Sequence, residues 1–154
     1  MPLERTVYRF RQRLLASRRS AFHWATDYRP GDLALMGEDG RRQVKKLAPD
    51  LILLTDRFRT PRGSIVKEKL VHLLPDRWAW TSTHLSGPSR HSQFLYELRP
   101  LGKKSCELQF TGLQVDRVRR PLSGMARKRR VLQLLREDSG AWRRLGAAIH
   151  LDLR

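Results

Sequence analysis

The chain's last thirty or so residues constrain its fold most. Residues 121–153 read PLSGMARKRRVLQLLREDSGAWRRLGAAIHLDL. Leu132, Leu135, Trp142, Leu145, Ile149 and Leu153 recur at steps of three, four or seven, which a 3.6-residue period gathers into one stripe. Arg136, Glu137, Arg143 and Arg144 fall beside or opposite it. About 30 residues at ~1.5 Å each make a helix of roughly 45 Å, long enough to cross a small domain. Ser123 is placed to cap its start, just after Pro121, and Gly140 marks a point where it would kink or split. An apolar stripe of this length needs an apolar surface to lie on, and the preceding chain offers a sheet.

That sheet is announced by punctuation. Residues 5–14 alternate, with Tyr8, Phe10 and Leu14 on one side and Arg9, Arg11 and Arg13 on the other, as in a half-buried strand with a wet basic face. Ser17 starts a short amphipathic helix carrying Ala21, Phe22, Trp24, Ala25 and Tyr28, stopped by Pro30 and Gly31. Asp32 is placed to cap a second short helix ended by Gly37. Turn signals then recur at Glu38-Asp39-Gly40, Pro61-Arg62-Gly63, Pro75-Asp76, Ser86-Gly87-Pro88 and 100–104. Between them lie strand-length runs at 41–47, 51–59, 64–74, 77–85, 91–99 and 105–116. Spacing this short predicts antiparallel hairpins in sequence order. Trp78, Trp80, Ser82 and His84 share one face of their strand, and Phe94, Tyr96 and Leu98 one face of the next. The apolar parity shifts after Gly112, to Leu113 and Val115, which predicts a bulge.

With 154 residues, 40% of them hydrophobic and 31% charged, the chain fits one soluble domain, 1–154, with a sizeable core. A single cysteine, Cys106, excludes a disulfide framework or cysteine zinc site within one chain and points to a reducing, cytoplasmic setting. No apolar run approaches the ~20 residues of a membrane span. The start, MPLERTVYRFRQRLL, lacks a signal-peptide core and reads as the beginning of the fold.

Three stretches carry a family resemblance. Ala16 to Tyr28, ASRRSAFHWATDY, gives a small residue, a helix with aromatics, then Asp-Tyr. Pro75-Asp76-Arg77-Trp78 leads into a strand, and Glu137-Asp138-Ser139-Gly140-Ala141-Trp142 leads on through the final helix. Together with the element order, they resemble the helix-grip fold of the START-like superfamily, also called SRPBCC or polyketide-cyclase-like proteins. The resemblance spans nearly the whole chain and rests on residue type and order. It implies an α+β fold in which a curved antiparallel sheet of about seven strands wraps the C-terminal helix, with two short helices after the first strand. It also implies a cavity between sheet and helix holding a lipid, sterol, polyketide or similar apolar molecule. Some members are cyclases or dehydratases, some carry ligands, and others bind proteins. Carried over to this sequence, the cavity-facing candidates are Trp24, Tyr28, Phe58, Trp80, His84, Phe94, Tyr96, Phe110, Trp142 and Ile149. Aromatic area with a few polar groups suits such a site; the other reading of the same residues is a filled core.

The chemistry is sparse. His23, His72, His84, His91 and His150 show no metal-ligand spacing, so neither a metal nor a cofactor is expected. Neither a Gly-x-Ser-x-Gly elbow nor a phosphate-cradling glycine loop is present. Cys106 lies on the apolar parity of its strand and reads as an inert buried thiol. Asp56 falls between Leu54 and Phe58 on one parity. Facing a cavity, its pKa would rise by desolvation and it could act as acid or base; near a strand end it would be wet. A cyclase reading nominates Asp56 with His84.

The net charge of +17 invites a polyanion, either nucleic acid or an anionic lipid surface. Arg117, Arg119, Arg120, Arg127, Lys128, Arg129 and Arg130 form the densest run, and four of them sit where a helix N-terminus disfavours cations. Arginines scattered along the whole chain fit equally a composition bias spread over solvated faces.

Overall fold

The structure, a computed structural model, describes residues 1–152. Strand β1 (Leu3–Leu14) is followed by helices α1 (Arg18–Thr26) and α2 (Asp32–Leu35). Strands β2 (Gly40–Ala48), β3 (Leu51–Thr60), β4 (Gly63–Leu74), β5 (Ala79–His84), β6 (Gln93–Gly102) and β7 (Ser105–Arg117) come next, then helix α3 (Gly124–Asp152). The sheet is fully antiparallel in the order β1-β7-β6-β5-β4-β3-β2, so five consecutive hairpins are closed on one side by β1 returning to β7. The sheet curves around α3, as expected.

The caps account for the helix starts. Ser17 Oγ accepts the Ser20 amide at 3.1 Å, and Ser123 Oγ accepts the Ala126 amide at 3.1 Å. Asp32 departs from expectation. It is the first residue of α2 rather than its cap, and its carboxylate accepts the Arg29 amide at 3.0 Å instead. Helix α1 ends at Thr26, before Pro30, and β5 starts two residues later than the sequence suggests. The cause of the latter is a 3-10 turn at Pro75–Arg77 that throws Trp78 into the left-handed region (φ 52°). Trp78 therefore leaves the face of Trp80 and meets Phe22 edge-on, at 5.7 Å between centroids.

Two larger corrections bear on the site. Helix α3 is continuous through Gly140, and its buried row is Leu134, Trp142, Leu145 and Ile149, with Leu135 half-buried and Leu132 60% exposed. At 100° per residue the buried arc centres on Asp138, which leaves Leu132 roughly 120° away. A carboxylate at the centre of the arc hid its true register. Leu153 lies outside the described residues. The predicted bulge at Gly112 is absent too: β7 pairs without interruption on both sides of it. Gly112 sits opposite Tyr8, and a Cβ there would lie 2.7 Å from the Tyr8 ring and 2.9 Å from Phe110. The glycine is clearance for Tyr8. The inward parity simply continues to Gln114, a polar residue that imitates a shift of parity.

The core lies between the concave face of the sheet, α1 and the C-terminal half of α3, with Leu14, Phe22, Leu54, Val71, Leu108, Leu145 and Ile149 in one cluster. Cys106 is fully buried, and burial pushes its thiol up to about 11, as an inert residue requires. Among the described residues no helix is long and apolar enough to cross a membrane.

Candidate functional site

Above that core, against the middle of α3, sheet and helix diverge around a cavity of about 710 Å³. Nine sequence-nominated residues line it: Trp24, Tyr28, Phe58, Trp80, His84, Phe94, Tyr96, Phe110 and Trp142. Ile149 does not. It is fully buried one level down, because α3 meets the sheet closely at that end. The exposed lining residues Gly37, Glu38, Arg136, Glu137, Arg143 and Arg144 mark the opening, between the α2–β2 turn and α3.

Register assembles the aromatic wall. Trp80 pairs with Tyr96 across β5 and β6, and Tyr96 with Phe110 across β6 and β7. Trp80 and Tyr96 stack at 5.0 Å with an interplanar angle of 5°, and Phe110 meets Tyr96 edge-on at 5.3 Å. Trp142 closes over them from α3, 6.2 Å from Trp80 and 5.8 Å from Tyr96. Burial raises the Tyr96 and Tyr28 hydroxyls, so both stay protonated donors.

The same parity carries charge. Arg42 faces Asp56 across β2 and β3, and Lys69 faces His84 across β4 and β5. Arg42 donates to Asp56 through Nε at 2.7 Å and Nη2 at 2.9 Å, and Lys69 Nζ lies 3.1 Å from Asp56 Oδ2. Asp56 is fully buried but does not line the cavity, whereas Arg42 and Lys69 do. Neither sequence reading of Asp56 holds: it is not a wet residue at a strand end, and its pKa does not rise. Burial opposes its ionisation, but the Arg42 hydrogen bonds and the Lys69 charge outweigh burial and hold the carboxyl below its ordinary value.

His84 is its counterpart. Burial, then the charges of Lys69 and Lys67, push its pKa down to about 3 from 6.5, so the imidazole is neutral. It leans on Phe94 at 5.0 Å, and its Nδ1 is buried with no hydrogen-bond partner. The sign of the linkage follows. A histidine whose folded pKa is depressed adds stability above its unfolded value near 6.5, and that stability is lost as pH falls toward 3. Urea unfolding of the wild type is expected to weaken through this window, with His84 contributing up to about 1.4 kcal/mol per pH unit. His84→Phe is expected to remove that share; identical pH slopes for the two proteins would contradict it.

Asp138 is a polar lining residue that sequence reasoning missed. It accepts a hydrogen bond from the Tyr8 hydroxyl, and burial raises its pKa. Arg42 and Lys69 were missed as well. Counting back from the Pro49-Asp50 turn sets Arg42 opposite Arg57; a register shift between Lys46 and Ala48 moves it opposite Asp56, and nothing in the sequence signals that shift.

The basic run divides. Arg130 is bidentate to Asp116 at 2.8 and 2.9 Å, and Arg127 lies 3.2 Å from Glu4. Those carboxylates offset the cations at the helix start, so no outside anion is needed for that purpose. Arg117, Arg119, Arg120, Lys128 and Arg129 are exposed.

No family model and no curated protein matches the chain. Solved structures do. The Zhui aromatase/cyclase from a Streptomyces species superposes with a TM-score of 0.79 at 12% identity, covering 98% of this chain and 97% of that one. A START superfamily protein from Mycobacterium smegmatis gives 0.70 at 17%, covering 94% and 97%. Norcoclaurine synthase from Thalictrum flavum, in complex with dopamine and hydroxybenzaldehyde, gives 0.67 at 12%, covering 99% and 90%. With its seven-stranded antiparallel sheet curved around a long C-terminal helix, the chain has the START-like, SRPBCC-type helix-grip fold.

Proposed function

We propose that the protein binds a small, largely apolar molecule in the cavity between the sheet and α3. The observation that carries this reading is the cavity itself. Its volume of about 710 Å³ falls within the range of small-molecule sites, and stacked Trp80 and Tyr96 with Trp142 opposite give it flat apolar walls. Each Å² of apolar surface taken from water contributes about 25 cal/mol, and polar groups on the wall set orientation. Similar structures lend support in kind, since the norcoclaurine synthase structure holds two small aromatic molecules. The specific cyclase pair draws no support from the geometry: Asp56 is held ionised away from the wall and His84 is neutral.

The test is a fluorescence titration with neutral N-phenylnaphthylamine. Saturable one-to-one binding with blue-shifted emission is expected. Ala141→Trp, which places an indole in the cavity from α3, is expected to abolish it while the protein stays folded. Non-saturating binding, or binding indifferent to Ala141→Trp, would sink the reading.

A further inference from the structure

The cavity wall is unevenly charged at its β2–β4 end. Arg42 and Lys69 line it, while the carboxylate they share, Asp56, is fully buried and does not. Within ion-pair distance two cations meet one anion, and that anion lies on the side away from the cavity. The wall's other two carboxyls, buried Asp32 and half-buried Asp138, take their hydrogen bonds from neutral donors, and among the described residues neither forms an ion pair with Arg42 or Lys69. Asp32 accepts the Arg29 amide at 3.0 Å, and Asp138 accepts the Tyr8 hydroxyl. Beside Lys69, across β4 and β5, His84 presents a buried Nδ1 with no partner, the one such side-chain atom among the described residues. Lys69 carries three N–H donors, and among the described residues the one carboxylate within ion-pair distance of it is Asp56. A buried cation with incomplete pairing is costly, and an anion arriving there recovers the cost.

We infer that this end of the cavity is an anion-accepting subsite, and that the ligand is an amphipathic organic acid. Its ionised acid group sits against Lys69 and Arg42, with His84 Nδ1 as a further polar contact. Its apolar body lies along Trp80 and Tyr96 toward Trp142. This inference rests on the cavity being a ligand site and adds the chemical class of the ligand. Burial, and Arg42 close by, hold the Lys69 pKa below its ordinary value, the state of an ammonium short of counter-charge. At the opening, Arg136, Arg143 and Arg144 outnumber Glu38 and Glu137, which favours the approach of anions.

Two probes that share one aromatic body separate the claims: anilinonaphthalene sulfonate, which is anionic, and N-phenylnaphthylamine, which is neutral. The wild type is expected to bind the anion about tenfold or more tightly than the neutral probe, the worth of one charge-assisted hydrogen bond. In Lys69→Met the ratio is expected to fall to about one, while Arg99→Gln on the exposed part of β6 keeps the wild-type ratio. Lys69→Met leaves Asp56 its two Arg42 hydrogen bonds, and the wild-type ratio is decisive even without that variant. Equal affinity for the two probes overturns the subsite and leaves the cavity reading standing. So does an anion preference undiminished in Lys69→Met. Failure of both probes to bind overturns the cavity reading itself.

Discussion

Asp56→Ala is expected to destabilise the protein by about 3–5 kcal/mol, because it strands two cations below the surface. The Arg42 side chain is 4% exposed and that of Lys69 16%, and Asp56 is the carboxylate that both contact. The loss comes from that stranding rather than from the intrinsic strength of the ion pairs. Replacing the cluster as a unit, with Asp56→Leu, Arg42→Met and Lys69→Met together, is therefore expected to recover most of it. Urea midpoints at neutral pH check both variants. A loss below about 1 kcal/mol for Asp56→Ala would mean that water in the cavity solvates the cations unaided. The pH dependence has a definite sign. A carboxyl with a depressed folded pKa adds stability above its unfolded value, near 3.9, and that stability fades as pH falls through the folded one.

Trp80→Ala carries the second large effect. The indole is 1% exposed, stacked on Tyr96 at 5.0 Å, edge-on to Phe22 at 5.8 Å and 6.2 Å from Trp142. Truncation leaves a void bounded by rigid aromatics that cannot collapse into it, at a cost of about 3–5 kcal/mol. Trp142→Ala opens the cavity from the helix side. Both truncations are expected to weaken binding of the neutral probe by more than they weaken folding. Equal losses in binding and folding would mark these residues as plain core, with no separate role in a ligand site.

Much of the fold is legible in the chain. The turn pairs at Pro61-Arg62-Gly63, Pro75-Asp76 and Ser86-Gly87-Pro88 punctuate alternating strands, and local period and turn chemistry are enough to place a meander. The aromatic wall was legible for the same reason, since Trp80, Phe94, Tyr96 and Phe110 announce their parity by hydrophobicity. Asp56 was legible on the parity of Leu54 and Phe58, but the inward-facing charges around it escaped. Arg42, Lys69 and Asp138 occupy buried or half-buried positions on the concave side, yet single-residue hydropathy assigns such residues to water. Their placement follows from cross-strand register and helix phase, which long-range pairing fixes. Arg42 is bearable inside because Asp56 lies opposite it, and Asp138 because the Tyr8 hydroxyl reaches it over Gly112. A polar site inside a sheet thus looks, residue by residue, like a wet surface.

The central claim is that the cavity holds a ligand. Native mass spectrometry of the purified protein, compared with the same sample after denaturing extraction, tests it most directly. The account predicts added mass on the native protein that extraction releases as a small molecule with an apolar body and an acid group. A native mass equal to that of the bare chain, together with failure of both naphthyl probes to bind, would contradict it.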